Sequence, residues 1–238
     1  MSKDTFQFKE FSIFQKGATL KICTDSCLFG AWAAKQNIPS EKVLDIGSGT
    51  GLLSLMFIQK NLNSTLTGIE IDATSASLTD QNFKHSPWSQ QLRAVNISLQ
   101  NFENADAKFD VIICNPPFFE NQLESSSSNK NLAKHSSELK REELVEAINK
   151  LLNPTGTAFL LFPPDEGEIF IKQGKQEGLY LTRLLKVSDK KESAPIRYLM
   201  AFQKMRHDVT EESMYIYEGE KQYSSDFIKL LKDYYLYL

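Results

Sequence analysis

The sequence feature that most constrains the fold is the run V-L-D-I-G-S-G-T-G-L at residues 43–52, where three glycines follow a short apolar segment. A buried strand that leads into a glycine turn and then a helix is typical of open α/β sheets. Glycine lacks a Cβ, so the backbone can adopt positive φ and approach a ligand closely. The run therefore predicts a ligand site at the carboxyl end of a central strand.

The rest of the chain follows the same α/β pattern, because short apolar runs alternate with helical stretches. We predict one mostly parallel sheet of seven strands, with helices on both faces. The predicted strands are 43–46, 66–71, 92–97, 109–114, 156–162, 179–185 and 197–203. The predicted helices are 52–60, 73–85, 141–152 and 166–177, followed by a last helix near the C-terminus.

The first 40 residues are expected to form an extension of this single domain, 1–238. Phe6, Phe8 and Phe11 alternate in a way that predicts a short strand, and a helix with Thr24 or Asp25 as its N-cap follows. We see no linker that would separate a second domain.

Composition excludes several classes of protein. The net charge of -3 argues against a uniformly basic nucleic-acid binder, although a local basic patch could still contact phosphates. The three cysteines form no C-x-x-C pair and the histidines no H-E-x-x-H motif, so we expect no disulfide framework and no metal site. Without a signal-peptide pattern or a long apolar run, we expect a cytoplasmic protein that does not enter a membrane.

Three kinds of ligand site use such a glycine turn. A dinucleotide site requires G-x-G-x-x-G, but Leu52 occupies the last position, and the G-K-[ST] of a phosphate-binding loop is absent. The pattern D-x-G-x-G-x-G of S-adenosylmethionine sites remains, and this cofactor carries no phosphate. We expect the backbone of Gly47, Gly49 and Gly51 to meet its amino-acid moiety, and Asp45 to interact with its ammonium group directly or through water.

The next strand ends in G-I-E-I-D. Glu70 lies about 20 residues beyond the glycines, where an acidic residue accepts hydrogen bonds from ribose hydroxyls. We therefore assign Glu70 and the adjacent Ile71 to the cofactor site. Asp72 is expected to cap the following helix instead.

A second motif, N-P-P-F, follows the strand at residues 109–114 and reaches the same edge of the sheet. An exocyclic amine on a planar ring is a poor nucleophile with two N–H donors. The side-chain oxygen of Asn115 and the carbonyl of Pro116 could accept both, which would direct the lone pair at the methyl group. Pro117 stiffens the turn, and Phe118 could stack on the ring.

These motifs together resemble the class I amino-methyltransferases of the [N/D]-P-P-[F/Y/W] type, which have a Rossmann-like fold. Further segments resemble the bacterial tRNA1(Val) adenine-N6 methyltransferases along nearly the whole chain: F-K-E-F, K-I-C-T-D-S-C-L-F-G-A-W, S-P-W and A-K-H-S. The resemblance implies S-adenosylmethionine as cofactor and, as substrate, the tRNA adenosine next to the anticodon, at position 37.

The same resemblance implies roles for individual residues. It places Thr24 and Asp25 near the methionine end of the cofactor, in an extension that closes over it. It puts Ser98 where an aspartate commonly holds the cofactor's adenine, and Asn115 beside the cofactor as well as the substrate. Basic residues after N-P-P-F are expected to meet tRNA phosphates: Lys130, Lys134, His135, Lys140 and Arg141.

Other functions remain open on the sequence alone. The acceptor motif is also compatible with glutamine N5-methylation of a protein and with guanine N2-methylation of RNA. A non-catalytic RNA-binding scaffold that kept the fold is a third class of function. The oligomeric state has no sequence signal, and a monomer is our working expectation.

Overall fold

A hairpin and one large sheet contain all the strands of the described chain. In this computed structural model, the described residues are 4–102, 108–116, 139–220 and 222–238. The hairpin comprises β1 (Thr5–Gln7) and β2 (Ser12–Phe14). The sheet comprises β3 (Lys42–Ile46), β4 (Thr65–Glu70), β5 (Leu92–Asn96), β6 (Phe109–Cys114), β7 (Leu152–Phe162), β8 (Tyr180–Lys190), β9 (Pro195–Gln203), β10 (Thr210–Gly219) and β11 (Gln222–Tyr223).

Six α-helices alternate with these strands within the described residues. They are α1 (Thr24–Ala34), α2 (Leu52–Lys60), α3 (Ala73–Lys84), α4 (Arg141–Leu151), α5 (Pro164–Gln176) and α6 (Ser225–Leu231). None of them is both long enough and apolar enough to cross a membrane. Asp72 caps α3 as predicted, because its carboxylate accepts a hydrogen bond of 2.8 Å from the Ser75 N–H.

The strand order of the sheet is β11-β10-β8-β9-β7-β6-β3-β4-β5. The strand β3 pairs in parallel with β4 on one side and β6 on the other, whereas β9 runs antiparallel to both of its neighbours. After β3 the chain proceeds outward through β4 and β5, and it then returns to the other side of β3. This reversal opens a crevice at the carboxyl ends of β3 and β6, where α/β sheets bind ligands.

The predicted α/β fold with helices on both faces is confirmed. One apolar cluster packs α1, α2 and the hairpin against one face of the sheet, and a second packs α4 and α5 against the other. The seven predicted strands form a continuous part of the sheet, which has nine strands among the described residues. The two additional strands are β10 and β11. The sequence of β10 gave a weak signal because only Met214 and Ile216 are buried along its length.

The N-terminal extension differs from the prediction in two details. Residues 5–14 form a two-stranded hairpin rather than a single strand. The predicted N-cap of α1 at Thr24 or Asp25 was wrong, because the helix begins at Thr24 and Cys23 is the cap. The Ser26 hydroxyl closes this end: it accepts from the Cys23 N–H at 3.3 Å and donates to the Cys23 carbonyl at 2.9 Å.

Candidate active site

The glycine turn after β3 has the left-handed backbone that the sequence predicted. Gly47 has a φ of +70° and Gly49 a φ of +59°. A Cβ placed on Gly47 would meet no atom within 4 Å, so the space beside this residue is open. Both glycines line the crevice at the sheet edge, and they present bare backbone to whatever occupies it.

Gly51 has a different role in the same turn. Its φ is +78°, and a Cβ there would lie 2.7 Å from a ring carbon of Phe83 on α3. Gly51 is not among the residues that line the crevice. The third glycine of the motif therefore allows α3 to pack directly against the turn.

The crevice consists of two connected lobes, which we call the first lobe and the second lobe. The first has a volume of about 300 Å³ and the second about 590 Å³. The carboxyl ends of β4 and β5 border the first lobe, and the start of α1 borders the second. Residues shared by the two lobes mark the place where they meet: Leu20, Gly47, Gly49, Asn115 and Pro116.

Glu70 ends β4 and lines the first lobe. One carboxylate oxygen accepts a hydrogen bond from the Gly49 N–H at 3.0 Å, and the other accepts from the Asp72 N–H at 2.9 Å. Each oxygen of a carboxylate can accept more than one hydrogen bond. Glu70 is thus held in place by the backbone and retains acceptor capacity toward the lobe.

Ile71 and Ser98 line the same lobe on either side of Glu70. Ile71 is 53% exposed, which is a large exposure for an isoleucine and gives the lobe an apolar wall. The Ser98 hydroxyl accepts a hydrogen bond of 3.3 Å from the Asn101 N–H. The lobe combines a carboxylate with apolar surface, a combination that suits a nucleoside.

Asp45 lies in β3, two residues before Gly47, and is fully buried. It lines neither lobe. The Ser54 hydroxyl donates to one carboxylate oxygen at 2.6 Å, and the other, Oδ1, accepts no hydrogen bond from any described residue. Burial raises the pKa of Asp45 to about 7; hydrogen bonds from Ser54 oppose this shift, and the charge of Glu70 adds to it.

This pKa makes the stability of the ligand-free protein dependent on pH. Between about pH 4 and pH 7, folded Asp45 holds a proton that the unfolded chain has released, so stability falls as pH rises through this window. We expect Asp45→Asn to remove this contribution and to leave the variant at least as stable as the wild type at pH 8. Thermal unfolding of the wild type and of the variant at pH 5 and pH 8 measures this pH dependence. An unchanged pH dependence in the variant would contradict this assignment.

Asn115 and Pro116 follow β6 and border both lobes. The structure therefore brings them beside Gly47 and Gly49, as the sequence predicted for the two motifs. Cys114, just before them, is buried, and desolvation raises the pKa of its thiol well above the usual range, so it is no thiolate nucleophile. Pro117 and Phe118 lie outside the described residues.

The start of α1 contributes Asp25 to the second lobe, whereas Thr24 does not line it. Asp25 forms an ion pair of 2.8 Å with Arg197 of β9. The side chain of Asp25 is 21% exposed and that of Arg197 is 26% exposed. Arg197 also lines the lobe. Lys186, on the neighbouring strand β8, does not line the lobe and pairs with Glu211 at 2.8 Å.

Of the five basic residues expected to meet RNA, the structure describes Lys140 and Arg141. Lys140 is exposed at the start of α4. Arg141 forms an ion pair with Glu166, and its side chain is only 16% exposed, so its guanidinium is less available to phosphate than the Lys140 ammonium. Lys130, Lys134 and His135 lie outside the described residues. Among the residues that are described, no cluster of His, Cys, Asp or Glu could hold a metal ion.

The geometry fits S-adenosylmethionine. A nucleoside could occupy the first lobe, against Glu70 and Ile71, and an amino-acid moiety could lie along the open backbone of Gly47 and Gly49. The unpaired, buried Oδ1 of Asp45 places an acceptor below this turn. At the junction of the lobes, Asn115 could face both the cofactor and an amine acceptor in the second lobe.

Comparisons with known proteins agree with this arrangement. The model of the methyltransferase small domain matches residues 28–157, more than half of the chain. Among solved structures, a predicted O-methyltransferase from Agrobacterium tumefaciens has a TM-score of 0.67 at 13% identity and covers 88% of this chain and 96% of its own. A putative RNA methyltransferase from Pyrococcus horikoshii has a TM-score of 0.53 at 17% identity, covering 76% and 81%. These likenesses show the fold.

Closer relatives span the whole chain. A protein from Dyadobacter fermentans is 39% identical over 97% of both chains, and one from Bacteroides fragilis is 35% identical over 99% of both. A third, from Aliivibrio fischeri, is 37% identical over 99% of both. All three are named tRNA1(Val) (adenine(37)-N6)-methyltransferase. The chain therefore belongs to the methyltransferase small domain family and, within it, to the family of the tRNA1(Val) (adenine(37)-N6)-methyltransferases.

Proposed function

We propose that this protein transfers a methyl group from S-adenosylmethionine to the N6 amino group of adenosine 37 in tRNA1(Val). The observation that carries the proposal is the meeting of the glycine turn and Asn115-Pro116 at the junction of the two lobes. The full-length relatives bear the name of this activity. Because the proposed substrate is a bacterial tRNA, we place the reaction in the cytoplasm.

The residues divide the work of binding the cofactor. Glu70 accepts hydrogen bonds from the ribose hydroxyls, while Ile71 and Ser98 contact the adenine side of the first lobe. Gly47 and Gly49 bring bare backbone to the amino-acid moiety. Asp45 acts on the ammonium group from below the turn, and its complete burial favours contact through a water molecule. Gly51 supports the turn through its contact with Phe83.

The N-terminal extension completes the site, and we propose that it forms one domain with the rest of the chain. Leu20 reaches both lobes, and Asp25 borders the second with Arg197 beside it. Residues 1–40 would thus close over the methionine end of the cofactor. Thr24 lies in the first turn of α1 and would support this end of the site.

Asn115 and Pro116 position the acceptor amine. When bound, S-adenosylmethionine would supply a methyl group on a positively charged sulfur. An amine lone pair can displace that sulfur, so that the N–C bond forms as the S–C bond breaks and neutral S-adenosylhomocysteine leaves. The Asn115 side-chain oxygen and the Pro116 carbonyl accept the two N–H groups of the adenine, so that the lone pair points toward the methyl group. Pro117 and Phe118, which lie outside the described residues, continue the motif, and stacking of Phe118 on the base is the role that the sequence predicts for it. No strong general base is required, because methylation gives the nitrogen a positive charge and makes it acidic, so that its proton can pass to water.

Methylation of tRNA should weaken as salt concentration rises, because lysines that neutralise phosphates release counterions. We expect kcat/KM for tRNA to fall on the order of 20- to 100-fold between 50 and 200 mM salt if three or four phosphates are contacted. Lys140→Ala should raise the KM for tRNA and reduce the salt slope by about one. Cofactor affinity measured in parallel should change little with salt.

A methyl-transfer assay with two kinds of acceptor separates the rival functions. Radiolabelled methyl groups from S-adenosylmethionine are offered to total tRNA and to total protein. Label in tRNA that is recovered as N6-methyladenosine supports the proposal. Label in protein alone would favour glutamine methylation, and no label together with intact tRNA binding would favour a scaffold.

A further inference from the structure

Gly49 is held on both sides by side chains. Its N–H donates to Glu70 at 3.0 Å, and its carbonyl accepts from the Thr79 hydroxyl at 2.8 Å. Thr79 is fully buried on α3, and its hydroxyl also lies 3.1 Å from that of Ser48. A residue that borders both lobes is thus fixed from behind by Thr79, a side chain that lines neither lobe.

Asn82, nearly one turn further along α3, joins the glycine turn to the N-terminal hairpin. Its amide nitrogen donates to the Thr50 carbonyl at 2.8 Å and to the Phe14 carbonyl at 3.0 Å. Its amide oxygen accepts from the Phe14 N–H at 2.8 Å. The side chain is fully buried, its bond to Thr50 is buried, and its two bonds to Phe14 are partly buried. An amide that uses both donors and its acceptor in this way fixes two backbone segments relative to each other.

The segment that follows Phe14 comprises residues 15–22, and we call it the 15–22 wall because its residues 19–22 line the crevice. The Gln15 side chain is only 8% exposed. It accepts a hydrogen bond of 3.1 Å from the Ile22 N–H, which closes this segment into a loop. Leu20 lies in this loop, borders both lobes and is 69% exposed. An apolar side chain held over a crevice gains burial when a ligand enters beneath it.

We propose that Thr79 and Asn82 are positioning residues, which lock the glycine turn and the 15–22 wall into one arrangement so that the cofactor enters a preformed crevice. The inference rests on the proposed function, because S-adenosylmethionine is the ligand that the crevice receives. Both residues act through backbone: Thr79 through Gly49, and Asn82 through Thr50 and Phe14. Preorganisation of this kind reduces the ordering cost of binding.

The test measures cofactor affinity by calorimetry in four variants. Thr79→Val keeps the shape and removes the hydroxyl, whereas Thr79→Ser keeps the hydroxyl. Asn82→Ala removes the link to the hairpin. The matched control is Asn61→Ala, because Asn61 also donates to two carbonyls, those of Ala34 at 3.2 Å and Phe57 at 3.0 Å, and lines neither lobe.

We expect Thr79→Val and Asn82→Ala to raise the Kd for S-adenosylmethionine by about tenfold or more. The first removes the side-chain donor to the Gly49 carbonyl, and the second removes the donors to the Thr50 and Phe14 carbonyls. Thr79→Ser should stay within about twofold of the wild type. Asn61→Ala should lower the Tm and leave the Kd within the same limit. Without cofactor, Asn82→Ala should also speed amide hydrogen exchange in the 15–22 wall, including the Ile22 N–H, and Asn61→Ala should not.

Two outcomes would overturn the inference: wild-type affinity in folded Thr79→Val and Asn82→Ala, or an equal loss of affinity in Asn61→Ala. If Asn82→Ala does not fold, the comparison of Thr79→Val with Thr79→Ser decides. A wild-type protein that binds no S-adenosylmethionine would refute the proposed function instead, so the two failures are distinguishable.

Discussion

Replacing Gly47 by valine should abolish S-adenosylmethionine binding in a protein that still folds. The φ of +70° at Gly47 is unfavourable for a β-branched residue, and the strain is about 1–3 kcal/mol. The larger effect comes from the side chain, which would project into the open space that we assign to the cofactor. We expect the Kd measured by calorimetry to rise by about a hundredfold or more.

Gly178 provides a matched control for this substitution. Its φ is +77°, and a Cβ there would also meet no atom within 4 Å. It lies between α5 and β8 and lines neither lobe. Gly178→Val should therefore show a similar loss of Tm and an unchanged cofactor affinity. Normal affinity in folded Gly47→Val would refute the assignment of the glycine turn.

The second large effect is expected for Asn115→Ala. If the Asn115 oxygen accepts a hydrogen bond from the target amine, the variant should keep its fold and its cofactor affinity. Its turnover should fall by about a hundredfold or more, the scale observed when one preorganised polar group is removed from an active site. Single-turnover rates at saturating cofactor and tRNA measure this directly.

Asn115→Asp is the sharper comparison. It keeps an acceptor of similar shape but adds a charge and removes the NH2 donor. Partial activity is expected, because the [N/D]-P-P-[F/Y/W] pattern admits aspartate at this position. Near-normal turnover in folded Asn115→Ala would show that this residue merely ends β6.

The sequence was most informative where structure depends on neighbouring residues. The turn at Gly47 and Gly49, the strands β3 and β4, and the cap at Asp72 are specified within a few residues, and each was predicted. The meeting of Asn115 with the glycine turn followed from topology, because the carboxyl ends of adjacent parallel strands share one edge.

Contacts between segments that are far apart in the sequence could not be predicted, because no local pattern indicates them. The pair of Asp25 with Arg197 joins α1 to β9, and no local pattern at either residue indicates the other. Asn82 presents the same difficulty, because a polar residue on an amphipathic helix is usually solvent-exposed, yet here it is buried between Thr50 and Phe14. The packing role of Gly51 required the position of Phe83, which only the folded structure provides.

The most direct test of the proposed activity locates the transferred methyl group. Total tRNA from a strain that lacks this enzyme is methylated by the purified protein with labelled S-adenosylmethionine. One portion is digested to nucleosides, and the labelled tRNA in a second, intact portion is isolated and sequenced. Our account predicts N6-methyladenosine at position 37 of tRNA1(Val), formed by the wild type and lost with Gly47→Val. Label found only in N2-methylguanosine, or only in protein, would contradict it.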